Sequence, residues 1–212
     1  MPVFEGRDLI GKDRTGSGKT LAFSLPLLEK LRTEGALNNT PRQSPFIIVL
    51  VPTRELCMQV TKEFLRFMNH PGEYRVASIY GGTEIYPQID QLRNGVDIMV
   101  GTPGRIIDLM DRQAFSFRSL RYFILDETDQ MLNIGFQEDI ERILKTLRSE
   151  LEGNGKSIDR IQFLLFSATI PKWVDQIASR FMKPDLVFVD MIRHSETKTS
   201  TTVEHLSLFF PS

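Results

Sequence analysis

Cysteine, histidine, long apolar runs and net charge are all scarce in this sequence, and each scarcity excludes something. A single cysteine, Cys57, rules out an internal disulfide framework and fits a reducing compartment. Three histidines, His70, His194 and His205, are scattered, and no His/Cys group has metal-ligand spacing. The longest apolar runs lie near Phe46, Tyr122 and Phe163, and none approaches the roughly 18 residues of a membrane span. The opening MPVFEGRDLIGK lacks the basic, apolar and small-residue order of a secretory signal. The expectation is an intracellular protein with no membrane partner. A formal charge of −1 excludes a surface coated in basic residues, although a local patch on a neutral chain still binds phosphates. No repeat or low-complexity segment is visible. With 212 residues, 41% of them apolar, the chain suits one folded domain with a sizeable core.

Short β-rich runs bounded by turn formers alternate with stretches of helical period. Asp8–Ile10, Phe46–Val51, Arg75–Tyr80, Asp97–Val100, Tyr122–Leu125, Gln162–Phe166, Leu186–Val189 and Val203–Phe209 read as strands. Lys19–Leu31, Arg54–Phe67, Phe136–Leu147 and Pro171–Phe181 read as helices, with Thr53 capping the second and Pro171 in the first turn of the last. Residues 149–160, SELEGNGKSIDR, read as a solvent loop, and 190–202 as an exposed connection. This alternation predicts an α/β fold, a largely parallel sheet with helices on both faces. Such sheets bind ligands beyond the carboxyl ends of their strands. There the sequence places PTREL, GG, TPGR, DETD and SAT, so its polar and glycine-rich segments converge on one rim.

The strongest chemical signal is TGSGKT, residues Thr15, Gly16, Ser17, Gly18, Lys19 and Thr20. Glycines let backbone N–H groups turn inward, and a helix starting near Gly18 aims its free N–H groups at the same spot. Lys19 suits the outer phosphates of a nucleotide, and the Thr20 hydroxyl suits Mg²⁺. The full phosphate-loop pattern has glycine where this chain has Asp13. Its carboxylate either points away, caps a turn, or faces the phosphates and weakens their binding through like charge.

After the Tyr122–Leu125 run come Asp126 and Glu127, which suit a metal ion and an attacking water respectively. Two adjacent acids are otherwise ordinary surface charge; a phosphate loop on the same rim favours the chemical reading. Ser167 and Thr169 end the next strand, where they suit a bond to Asp129, a bound water or a helix cap. Pro52, Thr53, Arg54, Gly81, Gly82, Thr102, Gly104 and Arg105 combine backbone donors, hydroxyls and guanidinium groups that suit a sugar-phosphate backbone. Turns, helix caps and an acid partner for Arg54 are the plainer uses of the same residues.

In this order the motifs resemble the first, RecA-like domain of DEAD-box RNA helicases, from Gly6 to about Phe210. The run Asp129-Gln130-Met131-Leu132 and the late Val203–Leu206 look like the nucleolar RNA helicase II (Gu) branch. The resemblance implies a RecA-like P-loop NTPase domain, the cofactors ATP and Mg²⁺, and RNA as partner. It assigns Lys19 to phosphate, Thr20 and Asp126 to the metal, and Glu127 to the attacking water, with Lys19, Asp126 and Glu127 as the catalytic set. It makes Asp129, Ser167 and Thr169 the coupling between nucleotide and RNA, and lays the Pro52-to-Arg105 group along the RNA path. It implies a second RecA-like domain as partner and a nuclear or nucleolar setting. The expectation for residues 1–212 is one ATP-binding domain without the upstream Q motif or the second domain, nearly inactive alone. A degenerate helicase-like domain acting as a protein-interaction module is the alternative. Two departures stand out: Asp13, and Thr128 where the family has alanine, which is expected to alter packing rather than metal binding.

Overall fold

The computed structural model describes residues 2–13, 18–33 and 44–190. Seven strands form one sheet: β1 (Leu9–Lys12), β2 (Ile47–Leu50), β3 (Val76–Ile79), β4 (Ile98–Gly101), β5 (Tyr122–Leu125), β6 (Gln162–Ser167) and β7 (Val187–Asp190). Their order is β3-β4-β2-β5-β6-β1-β7, and every pairing is parallel. The helices are α1 (Lys19–Thr33), α2 (Arg54–Arg66), α3 (Tyr86–Asn94), α4 (Pro103–Asp111), α5 (Thr128–Ile134), α6 (Gln137–Gly153) and α7 (Lys172–Phe181).

The central strands are apolar at consecutive positions because both of their faces are covered. In β2, Ile47 and Val49 join a cluster with Phe23, Leu27 and Phe64 of α1 and α2. Ile48 and Leu50 join the opposite cluster with Ile106, Ile140 and Val174 of α4, α6 and α7. Each such fully buried side chain contributes about 1.5–3 kcal/mol. The register is even, with Ile79, Gly101, Leu50 and Leu125 side by side at the carboxyl ends of β3, β4, β2 and β5. All the motif segments therefore leave the sheet on one side.

Four expectations change. The first strand runs from Leu9 to Lys12 rather than Asp8 to Ile10, since Lys12 still pairs with Ser167. Residues 149–160 are not simply loop: α6 continues to Gly153, and a 3-10 turn spans Ile158–Arg160. Leu151 extends the apolar stripe one turn beyond Leu147 and is buried, while the polar residues around it are the helix's wet face. Pro171 sits before α7 in extended conformation, not in the first turn. Helices α3, α4 and α5, absent from the four read in the sequence, are seven to nine residues long, too short for their period to stand out. The expected strand Val203–Phe209 and nearly all of the 190–202 connection lie outside the described residues.

Candidate functional site

Of the phosphate loop, Gly18, Lys19 and Thr20 are described; Thr15, Gly16 and Ser17 lie outside the described residues. Gly18 has φ +91, a conformation that other residues rarely adopt, and it leads directly into α1. Lys19 opens that helix and is only 7% exposed. Its ammonium lies 3.0 Å from Glu127 Oε1 and donates to the Asp13 carbonyl at 3.2 Å. The Asp13 N–H donates to the Ser167 carbonyl at 3.1 Å, so both backbone groups of Asp13 are in use. With Gly18 and Lys19, Asp13 also lines a cavity of about 350 Å³ at the foot of α1.

Asp126 follows β5 and is 2% exposed. Its own N–H donates to the Leu50 carbonyl, and its Oδ1 accepts the Glu127 N–H at 2.9 Å. Burial above all, then the neighbouring Glu127 charge, pushes its carboxyl up to about 6, against the pull of Lys19. Glu127 has φ 52 and ψ 50, left-handed backbone that costs a non-glycine residue about 1–2 kcal/mol. That turn is what brings two successive acids to the rim, one buried and one beside Lys19. Thr128 opens α5 fully buried, and its hydroxyl donates to the Phe166 carbonyl at 3.1 Å. The extra atoms relative to alanine are thus housed, and they tie α5 to β6.

Asp129, Ser167 and Thr169 are brought together. The Asp129 N–H donates to Ser167 Oγ at 3.1 Å, and Asp129 Oδ2 accepts from the Thr169 N–H and hydroxyl at 3.1 and 3.2 Å. The end of β6 is thereby clasped to the first turn of α5.

The remaining residues occupy the same rim over β2, β3 and β4. Pro52 is buried, and Thr53 caps α2 through its hydroxyl, which accepts the Leu56 N–H at 3.2 Å. Arg54 lies over the Tyr80 ring, 5.0 Å from its centroid; its partner is an aromatic face, not an acid. Gly81 and Gly82 face open space, and Gly82 makes the turn at φ +79. Thr102 precedes α4 in extended conformation without using its hydroxyl as a cap, and Gly104 is in the helix's first turn. The Arg105 side chain is 10% exposed. It donates through Nη2 to the Thr83 carbonyl at 2.9 Å; Nε stands in an ion pair 3.6 Å from Asp108 Oδ2, and Nη1 is buried without a hydrogen-bond partner. Sequence inspection missed Gln88, whose amide donates to the Tyr80 carbonyl and the Thr83 hydroxyl and so holds the glycine turn in place. A Gln following a glycine pair at short range was the available signal, and it is weak.

The comparisons with known proteins agree with this geometry. The family model described as DEAD/DEAH box helicase matches residues 1–177. ATP-dependent RNA helicase DDX50 of Mus musculus is 44% identical over 208 residues, covering 98% of this chain and 27% of its own. Nucleolar RNA helicase 2 of Rattus norvegicus is 43% identical over 207 residues, covering 97% and 25%. The chain thus spans about a quarter of the length of these relatives. Among solved structures, a DEAD box protein from the hyperthermophile Methanococcus jannaschii superposes with a TM-score of 0.72 at 39% identity, over 89% of this chain and 47% of that one. The fold is RecA-like, and the relatives include the expected nucleolar branch. On this sequence, this sheet and these motifs, the chain belongs to the DEAD/DEAH box helicase family.

Proposed function

We propose that this chain is the ATP-binding lobe of an ATP-dependent RNA helicase, in which ATP hydrolysis drives local RNA strand separation. The observation that carries the proposal is the 3.0 Å ion pair between Lys19 and Glu127. It brings the start of α1 and the acids after β5 together, although 108 positions in sequence separate them.

The donor set fits a magnesium nucleotide. Lys19 offers a cation at a helix N-terminus, Thr20 a hydroxyl one residue on, and Asp126 a buried carboxylate. Among the described residues no group of three or more His, Cys, Asp or Glu forms a metal cage. Thr20 and Asp126 would hold a magnesium ion that arrives with the nucleotide. When bound, the ion neutralises charge developing on the phosphates. Lys19 exchanges the Glu127 carboxylate for phosphate oxygen. The exchange frees Glu127 to accept a proton from the attacking water. Thr15, Gly16, Ser17 and Gly18 supply backbone donors. Asp129, Ser167 and Thr169 transmit the state of this pocket along the rim.

RNA lies along Pro52, Thr53, Arg54, Gly81, Gly82, Thr102, Gly104 and Arg105, gripped by its backbone. The buried Nη1 of Arg105, which has no hydrogen-bond partner, supports a phosphate there, because an orphan donor of this kind costs about 1–3 kcal/mol until it is paired. A second RecA-like domain completes both sites by contributing arginines to the transferred phosphate. The name of the rat relative supports a nucleolar place of action, and no helix among the described residues is long and apolar enough to cross a membrane. The intact Lys19, Asp126 and Glu127 set weighs against a module that only binds other proteins.

Calorimetric titration of the chain with ADP and ATP in magnesium tests the pocket. Saturation is expected, and its loss in Lys19→Ala; no binding at millimolar nucleotide refutes the proposal. RNA-stimulated hydrolysis is expected only when a second RecA-like domain is present in the same polypeptide.

A further inference from the structure

β1 leads into the phosphate loop, yet its own sequence does little to fix where it sits. It has four residues, Leu9–Lys12, and lies between β6 and β7, both parallel to it. Leu9 and Ile10 enter the two opposite core clusters; Gly11 has no side chain to place, and Lys12 is a cation. β6 beside it is buried along its whole length. Side chains alternate with a period of two, so a slip by two residues would return β1 to the same faces. The apolar pattern therefore specifies its height on the sheet weakly.

That height matters at the rim. The Asp13 N–H donates to the Ser167 carbonyl at 3.1 Å, the Asp13 carbonyl accepts from the Lys19 ammonium at 3.2 Å, and that ammonium stands 3.0 Å from Glu127. One residue of slip moves Asp13 by about 3.3 Å along the sheet. A hydrogen bond is already lost when it stretches to about 3.6 Å.

What holds β1 is a set of bonds just before it, at the end of the sheet away from the rim. Asp8 is fully buried, with both carboxylate oxygens in use. Oδ1 accepts the Phe163 N–H of β6 at 2.9 Å, and Oδ2 accepts the Lys183 N–H, in the connection to β7, at 2.7 Å. The Asp8 carbonyl accepts the Val187 N–H at 2.8 Å. One residue thus grips both neighbours of β1. The Lys183 ammonium lies 3.7 Å from Oδ1 and donates to the Gly6 carbonyl at 3.2 Å. The Gln162 amide donates to the Arg7 carbonyl at 2.6 Å and to the Val3 carbonyl at 3.2 Å. The Arg7 guanidinium donates to the Asp185 carbonyl through Nε and Nη2, at 3.1 and 2.9 Å.

A buried carboxylate is a poor source of stability, because its desolvation offsets much of what its bonds return. Burial pushes the Asp8 carboxyl up from its ordinary range, against the pull of the Lys183 and Phe163 N–H groups. What such a group supplies well is a single register, since its two charge-assisted bonds close in only one alignment of β1 with its neighbours.

We propose that Asp8 is a positioning residue for the nucleotide pocket: it fixes the register of β1 between β6 and β7 and so, from roughly 16 Å away, the place of Asp13 and Lys19. The inference rests on the nucleotide reading of that pocket.

Calorimetric titration of the full chain with ADP and magnesium tests it, read beside the melting temperature. Titrations are made in the cold, where circular dichroism shows each variant folded. Asp8→Asn keeps the shape and turns a donor toward one of the two N–H groups; it is expected to weaken ADP binding by about tenfold. Gln162→Met, which removes the two bonds that steady the residues before Asp8, is expected to weaken it several-fold. Ile89→Ala, on α3 at the far edge of the sheet, lowers the melting temperature through lost packing and is expected to leave the affinity of the folded chain unchanged. A side chain that served the fold alone would behave as Ile89 does. Wild-type affinity in folded Asp8→Asn therefore overturns the proposal, as does an equal loss in Ile89→Ala. Should Asp8→Asn not fold, Gln162→Met decides, and wild-type affinity there overturns it. Absence of ADP binding by the wild-type chain removes the nucleotide reading and this inference together. Binding that neither Asp8→Asn nor Gln162→Met disturbs removes this inference alone.

Discussion

The two halves of the rim solve the problem of exposed function differently. Over β1, β5 and β6 the polar groups satisfy one another: Lys19 with Glu127, Asp126 with the Glu127 N–H, Asp129 with Thr169. Over β2, β3 and β4 the contacts are mostly neutral, namely a cap at Thr53, a ring under Arg54, and a carbonyl at Arg105, whose Nε stands 3.6 Å from Asp108 and whose Nη1 is left without a hydrogen-bond partner. A ligand entering the first half must exchange for internal partners, which makes the pocket switchable. A ligand entering the second half adds contacts to groups that are already positioned, which suits a polymer backbone gripped without reading bases.

This contrast can be broken experimentally. The largest effect is expected from Glu127→Gln in a polypeptide carrying both RecA-like domains. RNA-stimulated ATP turnover should fall by about 10²-fold or more, the range for loss of a general base. Nucleotide affinity should hold or tighten, because Lys19 loses its internal partner. Steady-state phosphate release and calorimetry read the two quantities; equal losses in both would contradict the exchange model.

Next is Lys19→Ala. Removing the cation should weaken nucleotide binding by about tenfold or more, since charge-assisted contacts are worth about 1.5–3 kcal/mol. On the other half, Arg105→Ala is expected to weaken RNA binding about tenfold by anisotropy and leave nucleotide affinity unchanged. A matching loss of nucleotide affinity would show that the two halves are not separable in this way.

The smallest effect sharpens the comparison at its seam. Thr128→Ala removes the hydroxyl that donates to the Phe166 carbonyl. The expected loss is about 1 kcal/mol, or roughly 2–4 °C in melting temperature. Thr128→Val, which keeps the volume and loses the hydroxyl, should cost about as much. A valine variant as stable as wild type would place the value of Thr128 in its packing.

Much of this was legible in the chain. FIIVLV and QFLLF announce buried parallel strands because nothing polar is tolerated on either face. The phosphate loop and the acids announce their chemistry through residue type and spacing. The helices α3, α4 and α5 were not legible, being short, and α6 was cut early because its last turns are polar on all but one side. The partners of Arg54 and Arg105 were also hidden. Tyr80 and Thr83 belong to other segments, and only the pairing of β4 with both β2 and β3 brings them near.

Local pattern alone determined the class of fold, the rim on which the motifs gather and the residue types proposed for phosphate chemistry, because apolar periodicity and turn chemistry act over a few neighbouring residues. Tertiary structure decided who pairs with whom. The left-handed turn at Glu127, the ion pair to Lys19 and the clasp of Asp129 on Thr169 all depend on side-by-side strands. Proximity across a sheet is set by strand order and register, which no stretch of the chain specifies by itself.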